Sequence, residues 1–198
     1  MEKLNIISHN CIGARIYQLK NMEYENPFMW CAISPSDFWY LYNNYGSIDF
    51  RNIRLTKVKN DYVVVIDEKV KVYYIHYRYD KNAKTPTQRI KDGVDVYYDK
   101  IEDYILEKYN KRVERMLNEP VKPLFIVSDR EFYANKELNF TRNELMKYVS
   151  RDDCIVVTVD RTIKGSNVVY VARKTMDPKD IARIILRNKT IKWARIFA

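Results

Sequence analysis

Along the first twenty residues the apolar positions change their period. Leu4, Ile6 and Ile7 form a short apolar run, after which Ile12, Ile16 and Leu19 recur at helical spacing. The run predicts a buried strand and the spacing a helix, so Cys11 falls at a strand-to-helix turn. ENPFMWCA reads as an aromatic connector. In SPSDFWYLYNNYG, Ser34 or Ser36 offers an N-cap, Pro35 and Asp37 suit a first turn, and Gly46 suits the stop. NIRLTKV, YVVVID and KVKVYYIHYR are strand candidates, and Asp67-Glu68-Lys69 joins the last two into a predicted hairpin.

The stretch KNAKTPTQ is polar, carries Pro86 and reads as a loop. The longest predicted helix runs from about Val96 to Leu117, where Ile101, Ile105, Tyr109, Val113 and Met116 keep an amphipathic spacing. Asn118-Glu119-Pro120 ends it. PLFIVSD is a compact apolar strand. Thr141 and Glu144 stand at capping-box spacing, CIVVTVD and NVVYVA are strands, and Asp177-Pro178 opens a last helix. Helices alternating with short apolar strands predict a single α/β domain over residues 1–198. Its sheet is expected to be mixed and mostly parallel, flanked by helices, with a β-hairpin insertion.

The chain's 46% hydrophobic and 31% charged residues suit a soluble globular protein with one sizeable core. No stretch reaches bilayer-spanning length, and the N-terminus lacks the layout of a signal peptide. Three widely spaced cysteines, Cys11, Cys31 and Cys154, argue against a disulfide scaffold or a thiolate-rich zinc site. A reducing, cytoplasmic setting and no metal are expected. The formal net charge of +9 is spread along the chain and interleaved with acids, as in DKIEDYILEKYNKRVER. No zinc-finger, RNP or arginine-rich signature accompanies it, so nucleic acid is disfavoured. An anionic membrane surface or phosphorylated sugars remain compatible with the charge.

A thiol at a strand-to-helix turn faces unpaired backbone N–H groups and the positive end of a helix dipole, both of which favour thiolate. Cys11 is therefore a candidate nucleophile, with a small packing residue as the bland alternative. The chain has two histidines. His9 lies two residues from Cys11, on the same face if the strand continues, and His76 ends the strand VYYIHY. Either could deprotonate the thiol. Cys31 and Cys154 adjoin apolar runs and read as packing.

Arg112 and Arg115, at i and i+3 on one helix, could present two guanidinium groups to one anion, or belong to a solvated face. Asp129 stands just past an apolar strand, where α/β sheets place ligand groups. Ser128 would need a base. The chain has no Gly-x-Ser-x-Gly and no Gly-rich phosphate loop, which removes the commonest hydrolase and nucleotide-binding assignments, and no cofactor is expected.

IISHNCIGARIYQL, the Pro-Phe segment and the SPSDFWYLYNN helix together resemble the start of an uncharacterised bacterial family of exopolysaccharide-biosynthesis proteins. YYIHYR resembles its His-Tyr strand, KYNKRVERM its Arg-rich helix, PLFIVSD the strand after that helix, and KTIKWARIF its closing Lys-Trp segment. The order Asn-Cys, Pro-Phe-x-Trp, His and Arg-x-x-Arg is also similar to inferred papain-like cysteine peptidases, without papain's Cys-Gly-Ser-Cys-Trp signature. The resemblance implies Cys11 and His76 as a catalytic pair, with Asn10, Arg112 and Arg115 about the substrate.

Three readings follow. The first is a cytoplasmic protein of cell-surface polysaccharide biosynthesis that transfers an acyl or glycan group through Cys11 and His76. Arg112 and Arg115 would hold an anionic sugar or glycan-linked substrate. The second is a cysteine peptidase or thiol hydrolase with the same dyad. The third is a non-catalytic basic module for a polyanion, in which Cys11 merely packs.

Overall fold

The computed structural model describes residues 4–59, 61–78, 101–131 and 135–188, with the backbone alone for 76–78. In chain order, β1 (Ile6–Ser8) leads into α1 (Ile12–Lys20), and β2 (Ala32–Ile33) precedes α2 (Pro35–Asn44). Three strands follow: β3 (Ile53–Val58), β4 (Asp61–Ile66) and β5 (Val70–Arg78). Then come α3 (Ile101–Asn118), β6 (Leu124–Ser128), α4 (Arg142–Met146), β7 (Cys154–Thr158), β8 (Val168–Tyr170) and α5 (Pro178–Arg187).

The strands form two sheets. The first is parallel, in the order β1-β6-β7-β8. The second is antiparallel, in the order β2-β5-β4-β3. The fold class is α/β, as the alternation of elements predicts, and the hairpin of β4 and β5 is the centre of that second sheet. Its turn carries Asp67 and Glu68 at φ 48° and 57°, with the Lys69 N–H returning to the Ile66 carbonyl at 3.0 Å. Two successive positive φ values match the right-handed twist of the flanking strands. The aromatic connector also contributes a strand, β2, which periodicity could not show in two residues.

Alternating side chains of the parallel sheet feed two separate layers. Ile6, Ile126, Ile155 and Val157 pack with Ile12 and Ile16 of α1 and with Ile181 and Ile185 of α5. Ile7, Phe125, Val127 and Val156 point the other way. They pack with Phe38 of α2, Tyr109 and Val113 of α3, and Val64 and Val72 of the antiparallel sheet. The parallel sheet is therefore covered on both faces, as such sheets require.

The caps follow the sequence. The Ser34 hydroxyl accepts the Asp37 N–H at 3.2 Å ahead of Pro35 at the start of α2. The Thr141 hydroxyl and Glu144 carboxylate form a reciprocal capping box on α4, and Asp177 caps α5. The start of α3 predicted over 96–100 lies outside the described residues.

Candidate functional site

The carboxyl ends of β1 and β6 meet in a buried polar network. The chain bends at His9 and Asn10 instead of continuing β1. The Asn10 amide then works in several directions. Its Oδ1 accepts the Ile12 N–H at 3.0 Å and the Ser8 hydroxyl at 3.1 Å, while Nδ2 donates to the Ser128 hydroxyl at 2.8 Å. Asn10, read as a substrate contact, is thus engaged internally: it caps α1 and fixes the turn that carries Cys11. Asp129 is committed in the same way. Its carboxylate accepts the Thr158 hydroxyl at 2.7 Å and the Val159 N–H at 3.1 Å, tying β6 to β7.

His9 is fully buried, and its Nε2 accepts the Ser128 backbone N–H at 3.1 Å. That bond requires a lone pair on Nε2. Burial, helped by the charge of Arg130, lowers the imidazole pKa to about 3. The ring packs against Phe140 at 4.3 Å and Phe38 at 6.0 Å, both in the layer below the parallel sheet that holds α2 and α3. Cys11 packs in the other layer, with α1 and Trp30. The same-face expectation for His9 and Cys11 is therefore corrected: the bend after Ser8 breaks the period of two. His9 is a structural imidazole.

Cys11 occupies the N-cap position of α1 and is 6% exposed. None of the three cysteines is in a disulfide. The segment opposite Cys11 is pinned from several sides. The Asn26 amide donates to the Ile6 carbonyl at 2.8 Å, the Tyr74 hydroxyl to the Pro27 carbonyl at 3.1 Å, and the Ile33 N–H to the His9 carbonyl at 3.0 Å. These bonds bring Trp30, held at φ 62°, into the layer of Cys11, while Cys31 packs in the other layer. Burial pushes the Cys31 thiol up. Its neighbour Cys11 adds to this, and the Arg112 guanidinium opposes it.

Arginines and aromatic rings alternate beside the thiol. Arg15, one turn along α1, stands 4.6 Å from the Trp30 ring centroid. Trp30 meets Tyr24 edge-on at 6.4 Å, and Arg112 of α3 stands 5.1 Å from the Tyr24 ring. Arg115 donates to the Tyr24 carbonyl and pairs with Glu23, each at 3.2 Å. The two arginines of α3 therefore converge on Tyr24, with Arg112 buried and Arg115 half-exposed. Sequence reasoning missed Arg15, Tyr24 and Trp30. The available signal was Arg15 four residues after Cys11, which is one helical turn.

The side chain of His76 lies outside the described residues. Its backbone belongs to β5, which passes Ala32 at Tyr73 and runs on, antiparallel, in the direction of Cys31 and Trp30. Among the described residues no group of three or more His, Cys, Asp or Glu could hold a metal ion, and no helix is long and apolar enough to cross a membrane.

A comparison with curated proteins finds no match. A comparison with family profiles matches residues 1–143, a span that contains Cys11, Trp30, Arg112 and Asp129 and stops within α4. That span is most of the chain, and it shows that the protein belongs to the family described as domain of unknown function (DUF1919).

Proposed function

We propose that this protein is a thiol-dependent acyl or glycan group transferase acting in cell-surface polysaccharide biosynthesis. The biosynthetic context rests on the sequence resemblance given above. The observation that carries the chemistry is the position of Cys11 at the N-cap of a nine-residue helix, in a layer shared with Trp30. A helix N-terminus favours thiolate over thiol.

In an acyl transfer the Cys11 sulfur attacks the carbonyl carbon of the donor. The C–S bond forms, the bond to the leaving group breaks, and the leaving group takes up a proton. An acceptor hydroxyl then attacks the thioester, giving its proton to a base and returning the thiolate. His76 is the proposed base, and Arg112 and Arg115 hold the anionic part of the substrate.

The test is intact-mass analysis after incubation with p-nitrophenyl acetate. An acetyl adduct on Cys11, absent from Cys11→Ala, is the expected result. No adduct on Cys11, or an equal adduct on Cys11→Ala, overturns the transferase reading. A second reading, a non-catalytic anion-binding module, is favoured by the burial of Cys11 among apolar side chains.

A further inference from the structure

The described helices divide their charge unequally between the two faces of the parallel sheet. α1 and α5 pack on one face, in the layer of Ile12, Ile16, Ile181 and Ile185. α1 carries Arg15 and Lys20 and no acid. α5 carries Lys179, Arg183 and Arg187 against Asp180, which is paired with Arg183 at 2.8 Å. The helices on the opposite face hold no such excess. There Asp37 is the one charged residue of α2, α4 sets Arg142 against Glu144, and α3 has as many acids as bases.

The excess is presented outward. Lys20, Lys179, Arg183 and Arg187 are exposed, and Leu19, Ile184 and Leu186 lie among them half-buried at the margin of the core. Ile181 and Ile185, the apolar stripe of α5, are already buried against the sheet, so the helix cannot sink into hydrocarbon without breaking its layer. Its charged side remains available. Cations spread over two helices suit a surface of many mobile negative charges better than one small anion, which needs donors that converge. The interspersed aliphatic side chains find apolar contact at a lipid interface, whereas the phosphate backbone of a nucleic acid offers them none. We infer that the α1–α5 face is a peripheral docking surface for an anionic lipid bilayer, with Lys20, Lys179 and Arg187 on the head groups and Leu19 and Leu186 at the interface. The inference does not depend on the chemistry of Cys11. Contact of this kind is reversible and screened by salt.

The full chain is sedimented with vesicles of phosphatidylcholine alone and with vesicles of phosphatidylcholine mixed with phosphatidylglycerol, at low and at raised salt. Wild type should bind the mixed vesicles, leave the neutral ones, and be released by salt. The double variant Lys179→Gln, Arg187→Gln should bind about thirtyfold more weakly, at about fivefold for each cation removed. The double variant Lys111→Gln, Lys147→Gln takes the same charge from exposed positions on the opposite face, and should bind as wild type does. All four side chains are exposed, and unchanged thermal unfolding confirms that both variants are folded. The inference is overturned if mixed vesicles are not bound, if neutral vesicles are bound equally, or if the two double variants lose affinity alike, since total charge would then account for the binding. Tighter binding of a DNA duplex than of the mixed vesicles, weakened by the Lys179 and Arg187 changes, would assign the face to nucleic acid and also overturn it. An acetyl adduct on Cys11 without vesicle binding would leave the transferase standing and remove this surface, and vesicle binding with an inert Cys11 would do the reverse.

Discussion

The backbone N–H of Ser128 donates to Nε2 of His9 at 3.1 Å, joining the ends of two parallel strands through one neutral imidazole. The bond helps to hold His9 in the layer opposite that of Cys11, although the two lie two residues apart. It also fixes Asn10, whose amide reaches both His9 and Ser128 and caps the helix that begins after Cys11.

This arrangement predicts an acid limb in stability. The folded His9 has a pKa of about 3, below the ordinary 6.5, so between these values the unfolded chain binds more protons than the folded one. The contribution is complete above about pH 6.5 and is lost as pH falls toward 3, at a slope of up to about 1.4 kcal/mol per pH unit. Urea unfolding of wild type and His9→Gln between pH 7.5 and 4.5 checks it. The variant should be less stable at pH 7.5 and should show a flatter decline; equal slopes would contradict the assignment.

Two glycines should respond in opposite directions to alanine. A Cβ on Gly13 would stand 3.1 Å from Ser8 Cβ and 3.3 Å from Ile6 Cγ2, both on a strand held in the sheet and tied to Tyr17 of α1. The helix-propensity gain of about 1 kcal/mol is smaller than the usual cost of overpacking, so Gly13→Ala should lose about 1 kcal/mol. At Gly46 a Cβ meets nothing within 4 Å, and Gly46→Ala should gain about 0.5 kcal/mol. Denaturant midpoints measured side by side separate the two.

Arg112 and Arg115 should also separate. In phosphate-free buffer Arg112→Met should change stability by less than about 1 kcal/mol, because it removes a buried charge together with its contact to Tyr24. A loss above about 3 kcal/mol would identify Arg112 as structural. Arg115→Ala removes a solvent-exposed ion pair and should fall within about 0.5 kcal/mol of wild type.

The elements were legible where the signal is local. Ser34, Pro35 and Asp37, the Thr141–Glu144 box and the Asp177-Pro178 start each satisfy helix N–H groups within three residues, so the sequence alone carries them. β2 was not legible. It exists because Ile33 meets the His9 carbonyl and β5 lies beside it, and both partners are remote in sequence. The site was legible in part. The N-cap position of Cys11 follows from the change of period, but the partition of His9 and Cys11 into opposite layers follows from a bend that no periodicity records. The pairing of Tyr24 with an arginine 88 positions further along the chain is likewise a product of the fold.

The central claim is that Cys11 is a reactive thiol and not a packing residue, and rate-resolved labelling with iodoacetamide from pH 5 to 9 tests it most directly. Burial pushes the Cys31 and Cys154 thiols up, so both should be slow while the protein is folded. Mass spectrometry should find Cys11 modified first, with a midpoint below the ordinary cysteine value of about 8.5. A Cys11 that stays unmodified until the chain unfolds, together with Cys31 and Cys154, would contradict the account.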